Sequence, residues 1–286
     1  MKIALLLFLG LCTLYAQTLP PFAFLAYSDD RWKVCVVKDT KVSEIDLEEE
    51  PHSFDYNFKN GDIIYVGANS KLRLRSQNSE REVKLPYDRS GFTQPSFLCE
   101  HNAVYAVELI NKSSRSTKIV KINLQNDSFE SVVMQNSSQF EPLECDDRNI
   151  LFTNLICNQG CGKLIQEIWL KNTITGISEQ VTLLNAFSTN PTVHYGSHMM
   201  FFNSNKGDNY NIWAKELSND EKSFQVTFSE AVDTDPVAID ERAFLYIRND
   251  NARQSIMYGD LNGKFYEIKL LKEYNKIRQL KVNRCD

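Results

Sequence analysis

Histidine is scarce. The four in this 286-residue chain are His52, His101, His194 and His198, and no H-E-x-x-H occurs. Structural or solvent-facing roles are expected for all four. A nucleophile elbow is also missing, since Gly196-Ser197-His198 falls in a predicted turn. There is no Walker loop, because Gly162-Lys163 is followed by Leu164, and no dinucleotide fingerprint, because Gly160-Cys161-Gly162 lacks the third glycine. Basic charge is not in excess: 32 Lys and Arg face 37 Asp and Glu, a net charge of −5 with no basic stripe. A broad nucleic-acid surface is therefore excluded. With 42% hydrophobic residues, only 11 Gly and 8 Pro, collagen-like and disordered chains are excluded as well. What is plentiful is Val, Ile, Thr and aromatics (17 Phe, 12 Tyr, 3 Trp), a composition that favours strands.

Only one apolar run is long. Met1-Lys2 precedes Ile3 to Ala16, which carries no charge. It is shorter than the roughly 20 residues of a membrane span and suits a secretory signal, with cleavage expected after Ala16. A lipoprotein reading centred on Cys12 fails on the bulky Leu11 that precedes it. The mature chain, 17–286, has no further anchor, so the protein is expected to be exported, periplasmic or secreted. Removing Cys12 leaves Cys35, Cys99, Cys145, Cys157, Cys161 and Cys285, an even set in a compartment that permits disulfides. Sequons begin at Asn111, Asn126 and Asn136 and matter only where exported chains are glycosylated.

The strongest signal is an internal repeat. A polar residue precedes proline at Glu50-Pro51, Gln94-Pro95, Glu141-Pro142, Asn190-Pro191 and Asp235-Pro236, with 44 to 49 residues between successive prolines. After each come an aromatic-centred run (for example NAVYAVEL, HMMFFNS and RAFLYIR), a third run (TKIVKINL, YNIWAKEL and QSIMYGDL) and a short fourth run (EREVKL, SFQVTF and KFYEIKL). Four short strands per 40–50 residues is the signature of a β-propeller blade. FAFLAY, WKVCVV and VSEIDL before Pro51 supply three strands of a first blade that lacks its innermost member, and IRQLKV at 277–282 can supply that strand. The expectation is an all-β, single-domain, six-bladed propeller over 17–286, its ring closed by the C-terminal strand.

The late blades carry a recognisable pattern. SNKGDNYNIWAKEL at 204–217, SFQVTF at 223–228 and DTDPVAIDERAFLYIRND at 233–250 resemble the repeat of TolB-like propellers. Gln225-Val226-Thr227-Phe228 takes the place of that family's Q-L-T strand and Asp235-Pro236 its D-P position, and Gln180-Val181-Thr182 with Asn190-Pro191 repeats both one blade earlier. The family's S-P-D-G turn is replaced here by HYGSH, IDER, CDDRN and CEHN, and the N-terminal α/β domain of TolB itself has no counterpart. The resemblance implies a soluble, monomeric envelope scaffold that binds another protein or peptide, as TolB-like proteins bind a peptidoglycan-associated lipoprotein.

The repeat also places candidate site residues. Glu50, Gln94, Glu141, Asn190 and Asp235 occupy equivalent positions and should ring the channel mouth. Three are acidic, so an acidic funnel for a basic peptide is the functional expectation, with Ca²⁺ in the channel a lesser alternative. Capping of the turn before each inner strand is the competing structural role. No catalytic residue, metal or cofactor is assigned. The alternative function is a propeller hydrolase, lyase or lactonase with carboxylates or a metal at the channel mouth. The blade map favours three bridges, Cys157–Cys161, Cys99–Cys145 and Cys35–Cys285, the last locking the ring shut.

Overall fold

The computed structural model describes residues 19–77, 79–84, 91–100, 102–110, 117–158, 162–251 and 253–285. Every regular element among them is a strand. The first blade begins with β1 (Phe22–Ser28), β2 (Arg31–Lys38) and β3 (Lys41–Ile45). The second is β4 (Ser53–Tyr56), β5 (Ile63–Val66), β6 (Leu72–Ser76) and β7 (Ser79–Glu82). The third is β8 (Phe92–Phe97), β9 (Ala103–Leu109), β10 (Thr117–Asn123) and β11 (Phe129–Val133), and the fourth β12 (Gln139–Glu144), β13 (Asn149–Asn158), β14 (Lys163–Asn172) and β15 (Ser178–Gln180). The fifth is β16 (Ser188–Val193), β17 (Met199–Ser204), β18 (Asn211–Glu216) and β19 (Phe224–Gln225), and the sixth β20 (Val232–Ala238), β21 (Ala243–Asp250), β22 (Arg253–Asp260) and β23 (Phe265–Glu267). The last strand, β24 (Ile277–Val282), pairs antiparallel with β1, so the sheet order β24-β1-β2-β3 completes the first blade. The chain is a six-bladed propeller whose ring is closed by its C-terminal strand, as the repeat predicts.

The burial pattern explains why the second strand of each blade reads as a continuous apolar run. β5, β9 and β17 are buried along almost their whole length because both faces of a blade pack on neighbours. The core is accordingly divided into six wedges, one between each pair of adjacent blades. The wedge between blades six and one holds Phe24 against Tyr274, ring centroids 5.6 Å apart, with Ile277 and Leu280 beside them. The Gln-Val-Thr motif has a local purpose. The Thr182 hydroxyl accepts from the Ile168 amide (2.8 Å) and the Thr227 hydroxyl from the Ile212 amide (2.9 Å). Each threonine thereby pins an outer edge whose strand is only two or three residues long. One departure from the repeat matters for the site. Pro95, Pro142, Pro191 and Pro236 lie inside their inner strands, whereas Pro51 precedes β4.

Ring closure through β24 predicts that a side chain close to the C-terminus is as costly to truncate as one in mid-chain. Leu280→Ala, at a position 3% exposed, should lower stability by about 2–5 kcal/mol, comparable to Leu151→Ala, in urea unfolding followed by tryptophan fluorescence. A loss under about 1 kcal/mol would contradict the closure.

Candidate functional site: the central cavity and its polar girdle

Five of the six inner strands carry a β-bulge at the same place. The ladder slips by one residue between Thr93 and Ser96, Phe140 and Leu143, Thr189 and Thr192, and Thr234 and Val237, and again in β24 opposite Ala23–Leu25. The first bulged residue is left-handed in each: Gln94 (φ 49°), Glu141 (54°), Asn190 (52°), Asp235 (50°) and Gln279 (56°). Only glycine adopts this conformation freely, with Asn and Asp the most tolerant of the rest. A bulge withdraws a residue from the ladder and leaves its backbone groups in need of other partners. In four of the five the next residue is proline, which has no N–H to satisfy.

The partners come from the neighbouring blade. The Gln94 amide donates to Ser53 Oγ (3.0 Å), the Glu141 amide to Gln94 Oε1 (3.0 Å), and the Asn190 amide to Glu141 Oε2 (2.6 Å). Asn190 Nδ2 then donates to Asp235 Oδ1 (2.6 Å), the Gln279 amide to Asp235 Oδ2 (3.2 Å), and the Phe54 amide to Gln279 Oε1 (3.3 Å). The chain of bonds visits all six blades and returns to its start. It is a hydrogen-bonded girdle, and it uses four of the five residues that sequence places around the mouth.

Glu50 is the one it does not use. With no bulge in β4, Glu50 lies outside that strand and accepts from the Trp32 amide (3.0 Å) at the rim. Gln279 takes the sixth place, a residue the polar-proline pattern passed over because leucine follows it. Its signal was spacing, since Leu280 continues the proline grid 44 residues after Pro236.

Inside the girdle is a cavity of about 330 Å³, walled by the inner strands, including Pro95, Pro142, Pro191 and Pro236. Glu141 and Asp235 face it, and burial is the largest influence on both, pushing their carboxyls above the ordinary range. Glu141 is held further up by the Asp235 charge, while Lys281 pulls both down. No group of three or more His, Cys, Asp or Glu side chains among the described residues is arranged to hold a metal. His52 and His194 are bound through their backbones, His52 accepting from Gln279 Nε2 (3.1 Å) and His194 from the Ser197 amide (2.9 Å). His101 lies outside the described residues.

No family model matches the chain, and no curated protein matches it. Among solved structures, TolB from Acinetobacter baumannii superposes with a TM-score of 0.72 at 13% identity, covering 91% of this chain and 66% of that one. The six-bladed propeller fold is shared with TolB. The putative TolB from Agrobacterium tumefaciens gives 0.66 at 9% identity, covering 87% and 88% of the two chains. A Mycobacterium tuberculosis puromycin-hydrolyzing peptidase gives 0.62 at 9% identity, with 91% of this chain matching 48% of that one. This chain thus spans just under two thirds of the Acinetobacter TolB chain.

On this ring the C-terminal tail forms a strap across the channel. After β24 leaves blade one, Arg284 donates to the Glu144 carbonyl in blade four and, at 3.0 Å, to the Phe97 carbonyl in blade three. Its own carbonyl accepts from the Tyr195 amide (2.7 Å) just beyond β16 in blade five. Cys285 then bonds to Cys99, with Cα atoms 5.5 Å apart. All four anchors lie where inner strands end, so the strap closes that face.

The pairings Cys99–Cys145 and Cys35–Cys285 are therefore corrected. Cys35 is on β2 in the wedge beneath Tyr274, and burial pushes its thiol up to about 11. Cys145 faces away from Cys99, into the wedge between blades four and five, and burial raises its thiol strongly too. Both are free, buried thiols. The pair Cys157–Cys161 falls outside the residues whose side chains are described.

Two predictions follow from this geometry. Non-reducing peptide mapping should find Cys99 joined to Cys285 with Cys35 and Cys145 unpaired, and Cys285→Ser should cost about 2–5 kcal/mol; a Cys99–Cys145 peptide would contradict it. The second concerns pH. A carboxyl raised in the fold holds its proton longer there than in the unfolded chain, so its contribution to stability declines as pH rises from the ordinary carboxylate range through the raised value. The stability of wild type minus that of Glu141→Gln, which retains an acceptor for Asn190 and Thr153, should fall as pH rises above about 4. A difference that grows with pH would contradict the assignment.

Proposed function

We propose that the chain is an exported scaffold that binds another protein or peptide through the rim where its inner strands begin. The carrying observation is an arc of exposed apolar side chains at one repeat position. Met134, Leu183, Phe228 and Leu271 follow the outermost strands of blades three to six and are 55%, 79%, 81% and 82% exposed. Blades one and two carry Glu48 and Lys84 in the corresponding stretch. Large exposed apolar side chains repeated along one rim, among polar neighbours, are the kind of surface interaction sites use. The β13–β14 hairpin adds to the same rim, running beyond its pairing with β12 and exposing Leu164. The strap occupies the opposite face.

An acidic funnel for a basic peptide finds less support, because the Glu141 and Asp235 side chains are engaged in the girdle. The hydrolase, lyase or lactonase alternative meets the same difficulty. Export rests on the N-terminal apolar run, and among the described residues no helix is long and apolar enough to cross a membrane. A periplasmic or secreted, monomeric protein is the reading that fits this leader.

Affinity capture from extracts of the protein's own compartment tests the rim. Leu183→Asp with Phe228→Asp should reduce recovery of a specific partner at least tenfold without changing the melting temperature. Ile174→Asp with Ile177→Asp, at the other end of blade four, should leave recovery unchanged. Equal recovery with all three proteins would overturn the rim assignment. N-terminal sequencing of the exported protein should begin at Gln17, and retention of Met1 would contradict the signal.

A further inference from the structure

We propose that the central cavity is a binding site for a small monocarboxylate with an apolar body, anchored by the ammonium of Lys281. Its basis is an imbalance between the acids and the bases that line the cavity. The acids are engaged with hydrogen-bond donors. Asp235 accepts from Asn190 and Gln279 on its two oxygens. Asp55 accepts from the Tyr56 amide (2.9 Å) and the Phe97 amide (2.7 Å). Glu141 Oε2 accepts both from the Asn190 amide and from the Thr153 hydroxyl, each at 2.6 Å.

The bases are not matched in this way. Lys281 reaches a single ionic partner among the described residues, Asp55 Oδ1 at 4.0 Å, although its side chain is only 28% exposed. An ammonium has three protons to donate, and a partly buried one without acceptors is expensive. Lys281 lines the cavity together with Asp235 of blade six and Glu141 of blade four, and its charge pulls both carboxyls down. Arg278 stacks on Trp32, 4.0 Å from the ring centroid, and donates to the Pro51 carbonyl, yet its buried Nε has no partner. Arg284 uses two nitrogens on neutral carbonyls. A negatively charged group with oxygen acceptors would complete this set.

The remaining walls narrow the class. Four prolines and Leu280 line the cavity, so the ligand's body should be apolar. Its volume of about 330 Å³ falls in the range of small-molecule sites. A phosphate dianion would meet Glu141 and Asp235 with twice the charge, whereas a carboxylate brings one. The residues that line the cavity are distinct from the exposed apolar residues of the rim.

Isothermal titration of the full mature chain with benzoate and with uncharged benzamide tests the assignment, with amide chemical shifts locating the ligand. Benzoate should bind at least tenfold more tightly than benzamide and shift the amides of Gln279, Leu280 and Lys281. Lys281→Met should weaken benzoate at least tenfold, while Lys222→Met on the outer surface should not. Should Lys281→Met fail to fold, the benzoate-to-benzamide ratio on the wild-type protein still decides. Equal affinity for the two probes, no benzoate binding, or benzoate affinity unchanged in Lys281→Met would overturn the proposal.

Discussion

A backbone amide donated from one blade to a side-chain oxygen of the next is the interaction on which this molecule is arranged. A propeller must fix the angle and height of each blade against its neighbours, and apolar wedges alone are tolerant of small slides. The girdle removes that freedom. Each bulge turns one residue into the left-handed conformation, freeing its N–H and aiming its side chain along the ring. The conformational cost of a non-glycine residue there is of the order of 1 kcal/mol or more. It is offset because the same residue bonds to the blades on both sides, as Glu141 does between Gln94 and Asn190. Proline as the following residue is a consequence, since it leaves no second amide unsatisfied.

The same constraint divides the molecule into two unlike faces. Inner strands begin on a rim with exposed apolar residues and finish beneath the Arg284 strap. The strap ties blade one, through β24, to blades three, four and five, so the Cys99–Cys285 bond encloses 186 residues of chain separation. Linking such distant parts of a chain restricts the unfolded state more than a local bridge does. Ring closure thus has two components: the non-covalent pairing of β24 with β1 and the covalent strap that follows it.

Much of the architecture could be read from the chain. The proline grid and its following runs marked blades two to six, the three runs before Pro51 marked the first, and the unpaired run at 277–282 correctly predicted the closing strand. The site was legible in part. Gln94, Glu141, Asn190 and Asp235 do converge, because a bulge needs a polar residue at that position whichever role it serves. Their chemical purpose was hidden, since a carboxylate that binds a ligand and one that binds a neighbour's amide look alike in sequence. Glu50 was misplaced because Pro51 happens to fall on the grid without a bulge behind it. The disulfide was misassigned for a related reason: the matching positions of Cys99 and Cys145 suggested proximity, but the blade surfaces they face were not encoded in spacing. Only the path of the tail, set by Arg284 and its carbonyl partners, brings Cys285 to Cys99.

Native-state hydrogen exchange resolved at single amides measures the girdle most directly. The amides of Gln94, Glu141, Asn190 and Gln279 border a central cavity, where unbonded groups would exchange freely. If the girdle holds the blades in register, these four amides exchange only as slowly as the core amides of β9 and β13, through global unfolding. Rapid exchange of all four, with β9 and β13 still protected, would contradict the account.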